Sequence, residues 1–139
     1  MSDCLFCKII KGELPSFKIY ENDKVLAFLD LSHFVDGHTI VIPKVHFEYV
    51  WDIDYPTEYY TALQKIANHY RNNLGYQFVD SMTLGRKVPH AHTHLIPHNG
   101  DNQEWRDSLK KLGAMQVDPF RKLSKEDGLL ILERFKIRN

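Results

Sequence analysis

"VPHAHTHLIP", residues 88–97, places three imidazoles, His90, His92 and His94, at every second position among apolar neighbours. Strict alternation is the period of a strand, so the stretch predicts a β-strand with the three rings on one face. At about 3.3 Å of rise per residue the outer two Cα atoms lie roughly 13 Å apart. Zinc–nitrogen bonds are only about 2.0–2.1 Å long. Neighbouring rings can reach one ion, but three on a straight strand are hard to bring together. The spacing therefore predicts a division of labour, with one ring for a metal or scaffold and others for chemistry. The bland alternative, three structural histidines, gives a core little in return for three polar rings that each need partners. Histidine titrates near neutrality, and its neutral ring nitrogen is both a base and a nucleophile.

Outward from this stretch, the pattern is mixed. "FKIYENDKVLAFLD", residues 17–30, reads as two strands joined by a tight turn at Glu21–Asp23. Val25, Ala27 and Leu29 share one face of the second strand, and Leu26, Phe28 and Asp30 the other. "GHTIVIP", residues 37–43, is a β-branched run closed by Pro43, with His38, Ile40 and Ile42 pointing the same way. Residues 56–73 carry Tyr59, Leu63, Ile66, Ala67 and Tyr70 at helical spacing, with Pro56 suited to the first turn and Gly75 to the exit. "YQFVDSM" is a further strand. Residues 98–123 are polar and mixed, with Trp105 in a short helical pattern. Ser124 and Asp127 resemble a capping box before "GLLILERFK", a C-terminal helix. The sum is an α+β fold: an antiparallel sheet, one long helix and a terminal helix.

The 139 residues suit a single domain with its own core. Lys+Arg and Asp+Glu both number 18, which argues against bulk nucleic-acid or membrane-surface binding. No apolar run approaches the ~20 residues of a membrane span, and the N-terminus lacks a signal-peptide core, so a cytoplasmic location is expected. Cys4 and Cys7 are the only cysteines and are spaced C-x-x-C. Such a pair suggests a metal half-site or a redox pair. A zinc site needs two more ligands, which would have to come from the eight histidines. No strand precedes the pair, which disfavours a thioredoxin-like role.

Taken together, "HAHTHLIP" and "CLFCKIIKGELPSFKIYENDKVLAFLDLSHFVDGHTIVIPKVH" resemble the histidine triad (HIT) superfamily, in particular its bacterial HINT-like hydrolases. The likeness runs well over about residues 3–51 and 85–97, and hardly reaches 98–139. It implies a single HIT domain over 1–139, with a core at 3–97 and a divergent extension at 98–139. It also implies a five-stranded antiparallel sheet, continuous as ten strands across a homodimer. The implied reaction is hydrolysis at the α-phosphate of a nucleotide, such as an adenosine phosphoramidate or dinucleoside polyphosphate. His92 matches the nucleophile, His94 the phosphate-contacting ring, and His38 a supporting histidine. Cys4, Cys7, His46 and His90 match the ligands of a structural zinc, and no catalytic divalent cation is implied. Asp30 falls where the family holds the ribose hydroxyls, and Phe6, Ile9, Phe28 and Leu31 fall on its base pocket.

There are departures. Where relatives carry Gln-Ser or Gln-Thr before the triad, Arg86 and Lys87 stand, so Lys87 is expected near the leaving group. The Asn-Gly loop before that is replaced by "VDSMTLG", and His33 takes a place usually held by proline. Galactose-1-phosphate-type transferases carry glutamine at the third triad position, so His94 favours hydrolysis. Two other classes stay open: a non-catalytic nucleotide-binding scaffold, and a zinc-dependent nucleic-acid binder, which the balanced charge disfavours.

Overall fold

The computed structural model describes residues 3–117 and 123–138. The chain divides into two compact units, Met1–Gln103 and Glu104–Asn139. The first contains helix α1 (Leu5–Ile10), strands β1 (Lys18–Glu21), β2 (Val25–Leu29) and β3 (Thr39–Pro43), helix α2 (Pro56–Asn72), and strands β4 (Phe78–Met82) and β5 (Thr93–His98). The strands form one antiparallel sheet in the order β1-β2-β3-β5-β4.

Both faces of this sheet are covered. Val25, Ala27, Val41 and Leu95 pack on one side with Tyr59, Leu63, Ile66 and Tyr70 of α2. Leu26, Phe28, Ile40 and Ile42 pack on the other with Phe6 and Ile9 of α1. The alternation of β2 and β3 is thus a choice between two apolar layers, since period-two side chains must face one or the other. In α2, Ala62 lies in the buried stripe and Ala67 is only half-buried. The Tyr59 hydroxyl bonds the Val41 carbonyl and Thr93 at 2.9 Å each, and the Tyr70 hydroxyl lies 2.6 Å from that of Thr39. Two phenols therefore tie α2 to β3 and β5, and burial holds that of Tyr59 far above its ordinary pKa.

Two expectations shift. The first turn begins one residue later, at Asn22, because Glu21 still belongs to β1; the Asn22 side-chain oxygen accepts from the Lys24 and Val25 N–H groups at 2.8 Å each. More consequentially, "HAHTHLIP" is a strand only from Thr93 onward; His90, Ala91 and His92 precede β5. The cause is Pro43, the last residue of β3. It has no N–H to offer, so the β3–β5 ladder ends at Val41 opposite Thr93. The Ala91 N–H donates instead to the Phe47 carbonyl at 2.6 Å. The three rings consequently do not share one regular strand face.

The second unit holds α3 (Gln103–Val117) and α4 (Lys125–Phe135). Most of the stretch 98–123 is therefore the end of β5 and a helix containing Trp105, and 118–122 lie outside the described residues. Ser124 caps α4 by accepting from the Asp127 N–H at 3.1 Å. Leu129, Leu130, Ile131, Leu132 and Phe135 of this helix are exposed. No helix among the described residues is long and apolar enough to cross a membrane.

Candidate active site and candidate metal centre

The end of β3 and the start of α1 create the first cluster. Cys4 and Cys7 flank the first turn of α1, His46 follows β3, and His90 precedes β5; their donor atoms all lie within 4.8 Å of one another. Cys4 Sγ and Cys7 Sγ are 3.4 and 3.5 Å from His90 Nδ1, and Cys7 Sγ is 3.3 Å from His46 Nδ1. A tetrahedral zinc with ordinary bond lengths sets sulfur and nitrogen ligands about 3.5 Å apart. The tautomer also fits. His90 Nε2 donates to the Pro43 carbonyl at 2.9 Å, which leaves the Nδ1 lone pair facing the thiols. Burial, then the neighbouring Cys4, holds the Cys7 thiol above its ordinary value, and burial holds His90 below its own. Both groups are thereby kept neutral, and a divalent ion would displace the thiol protons. Two thiols and two imidazoles suit zinc in a closed, four-ligand site.

The β2–β3 pairing creates the second cluster. Leu29 lies opposite Thr39, and the Asp30 N–H donates to the His38 carbonyl at 2.9 Å, so Asp30 and His38 face each other. His94 lies opposite Ile40 and therefore diagonal to His38. The Phe34 N–H donates to His38 Nδ1 at 3.1 Å, so the His38 proton sits on Nε2 and is donated to His94 Nδ1 at 2.8 Å. That leaves His94 Nε2 as an N–H donor for whatever lies beyond it. The Phe34 ring stacks on His38 with centroids 4.9 Å apart at 20°. Asp30 Oδ2 is 3.6 Å from His38 and 3.8 Å from His94, while Asp30 Oδ1 accepts from the Ser32 N–H at 2.8 Å.

Asp30, His38 and His94 also have the spacing of a metal-binding face. An ion at His38 Nε2 would, however, cost the Phe34 hydrogen bond or require an imidazolate. The Phe34 N–H, His38 and His94 instead form a hydrogen-bond relay, with the Asp30 carboxylate beside it. Burial pushes His38 below its ordinary value, against the pull of Asp30. Burial first, then His38 and His92, pushes His94 down to about 4, again against Asp30.

His92 joins the two clusters. Its Nδ1–H donates to the His90 carbonyl at 2.7 Å, which frees the Nε2 lone pair. Its ring centroid is 5.2 Å from that of His94. His90 is fully buried, whereas His92 keeps 8% of its surface and the His94 side chain 15%.

The remaining expected site residues separate. Phe6, Ile9 and Phe28 are buried together under α1. Leu31 is 79% exposed. Lys87 and Arg86 are exposed between β4 and β5. The expected list lacked Phe34, since its part is played by a backbone N–H that no residue pattern reveals. It also lacked the pair of His98 Nε2 and Asp80 Oδ2 at 2.7 Å, which depends on β4–β5 register.

The HIT domain family model matches residues 11–101. "Protein hit" of Bacillus subtilis is 42% identical over 107 residues, 70% of this chain and 72% of that protein. An adenosine 5'-monophosphoramidase of Saccharomyces cerevisiae is 33% identical, covering 89% of this chain and 85% of its own. Among solved structures, a HIT family protein from Bacillus anthracis superposes with a TM-score of 0.77 at 32% identity, over 95% of this chain and 94% of that one. A zinc-bound histidine triad family protein from Mycobacterium smegmatis does so with 0.64 at 30% identity, over 81% and 97%. The chain belongs to the HIT domain family. Its five-stranded antiparallel α+β sheet is the fold of these neighbours.

Proposed function

We propose that the protein is a nucleotide hydrolase that acts at the α-phosphate of adenosine-type substrates, phosphoramidates or dinucleoside polyphosphates. The observation that carries this reading is the pair of opposed tautomers: His92 with a free Nε2 lone pair beside His94 with a free Nε2–H. His92 Nε2 attacks the α-phosphorus, and the P–N or P–O bond to the leaving group breaks with its electron pair. The leaving group takes up a proton as it departs. His94 Nε2–H donates to a non-bridging oxygen, and as a neutral donor it keeps that role across neutral pH. His38 holds His94 in the required tautomer. Water then cleaves the nucleotidyl-histidine bond and releases the nucleoside monophosphate. Asp30, beside this relay, accepts from the ribose hydroxyls; Phe6, Ile9, Phe28 and Leu31 serve the base, and Lys87 the leaving-group side. The yeast relative's phosphoramidase activity supports the substrate class.

Cys4, Cys7, His46 and His90 hold a structural zinc that fastens α1 to the segment before β5; the zinc-bound mycobacterial neighbour supports this. Free thiols suit a reducing compartment, the cytoplasm. Two copies pair into a ten-stranded sheet, which light scattering reads as twice 16.4 kDa. The decisive assay incubates the protein with an adenosine phosphoramidate and with diadenosine tetraphosphate. AMP release at least about 10³-fold above His92→Ala is expected, since loss of the nucleophile removes the covalent route. No release above that variant overturns the reading. Lys87 in place of the hydroxyl residue favours a second reading, a nucleotide-binding scaffold, which predicts AMP binding without turnover.

A further inference from the structure

Phe6 stands between Cys4 and Cys7 in sequence, in the first turn of α1, and is 4% exposed. Its ring meets His92 with centroids 5.3 Å apart at 81°, His90 at 5.8 Å and 75°, and Phe28 at 5.6 Å and 68°. All three are edge contacts of the kind that fix one ring against another. His92 is also held by the hydrogen bond from Nδ1 to the His90 carbonyl, and its ring meets that of His94 with centroids 5.2 Å apart at 75°. The Phe6 contact and the His90 hydrogen bond thus come from segments that carry three of the four donors of the candidate metal centre, Cys4, Cys7 and His90. Cys4 and Cys7 lie two residues before and one residue after Phe6 in the chain and pack in the same buried cluster, and His90 is itself a donor residue. A half-turn of the His92 ring about Cβ–Cγ would put Cδ2 in the place of Nδ1, break the hydrogen bond to the His90 carbonyl and shift the Nε2 lone pair off its line. The packed edge of Phe6 resists that turn.

We propose that Phe6 is a positioning residue that transmits the order of the Cys4–Cys7–His46–His90 centre to the ring of His92. In this role Phe6 acts on the nucleophile as well as serving the base. A closed site distant from the phosphate thereby governs the chemistry without touching substrate. The kinetic part rests on the hydrolase reading; the structural part stands without it.

The test compares wild type, Phe6→Leu and chelator-treated wild type at one neutral pH. Phe6→Leu keeps an apolar side chain but removes the ring. It should retain wild-type zinc content, with kcat lowered about 10- to 100-fold, the scale of a misplaced reacting group, a larger factor than any rise in KM. A raised KM with kcat intact would show that Phe6 serves the base alone and overturn the proposal, as would loss of zinc from this variant. Side-chain 15N NMR supplies a readout free of turnover. Wild type should show His92 as one species protonated at Nδ1, and both Phe6→Leu and the chelated protein as a mixture of ring states. An unchanged His92 signal in either overturns the proposal. If wild type turns over nothing, the hydrolase reading fails with the kinetic arm, and the NMR arm still decides the role of Phe6.

Discussion

At the scale of single residues, the site is a set of tautomers imposed by backbone groups. The Pro43 carbonyl, the His90 carbonyl and the Phe34 N–H each take one ring nitrogen and so define the other. The alternation of His90, His92 and His94 was legible in the sequence. The tautomers were not, because main-chain partners leave no signature in residue type. The buried state of His94 has a consequence for pH. An unfolded histidine protonates near its model value of 6.5, whereas folded His94 resists until about 4. As pH falls through that window the unfolded chain binds the extra proton, so folding stability declines. Wild-type melting temperature should therefore drop more steeply between pH 7 and pH 4.5 than that of His94→Gln. Parallel curves would show that this ring does not set the acid limb.

At the scale of elements, the long helix was the easiest to read. Its apolar stripe recurs at helical spacing, Pro56 opens it, and Gly75 follows with φ +77°. Strand β5 was misjudged at its start because the residue that ends its ladder, Pro43, lies about fifty positions upstream in the chain. The loop between β2 and β3 depends on Gly37. Its φ is +86°, and a Cβ there would meet Pro97 Cγ at 3.0 Å. Gly37→Ala should cost on the order of 1–2 kcal/mol from the left-handed backbone alone. It should also reduce turnover, since His38 is the next residue; denaturant titration and kcat measure the two effects. In the second unit, Ser124→Ala removes the hydroxyl that caps α4. A loss of about 1 kcal/mol of local helix stability is expected, seen as faster amide exchange in 125–129 with turnover unaltered.

For the whole molecule, the strand set was legible but its order was not. β5 lies between β3 and β4, a choice made by pairing of residues far apart in sequence. The four thiol and imidazole donors likewise come from three separate segments, and only the family likeness brought them together before the structure did. A group that binds the folded state alone stabilises it by mass action. Removing zinc with a strong chelator should therefore lower the melting temperature by several degrees, on the scale of 2–4 °C or more per kcal/mol for a chain of this size. Re-addition of zinc should restore it, and Cys7→Ser should melt like the chelated protein. An identical melt with and without chelator would remove the metal from the account.

The ring of Pro43 carries a lesson for anyone seeking a sturdier variant. Swapping it for valine looks attractive, since β3 would gain a hydrogen-bond donor and a residue that favours extended backbone. That added donor would invite the chain around His92 to zip further along its neighbour and give up the Phe47 carbonyl. Robustness gained this way would come out of reactivity under the proposed mechanism, which needs the sheet to stay open at that one rung.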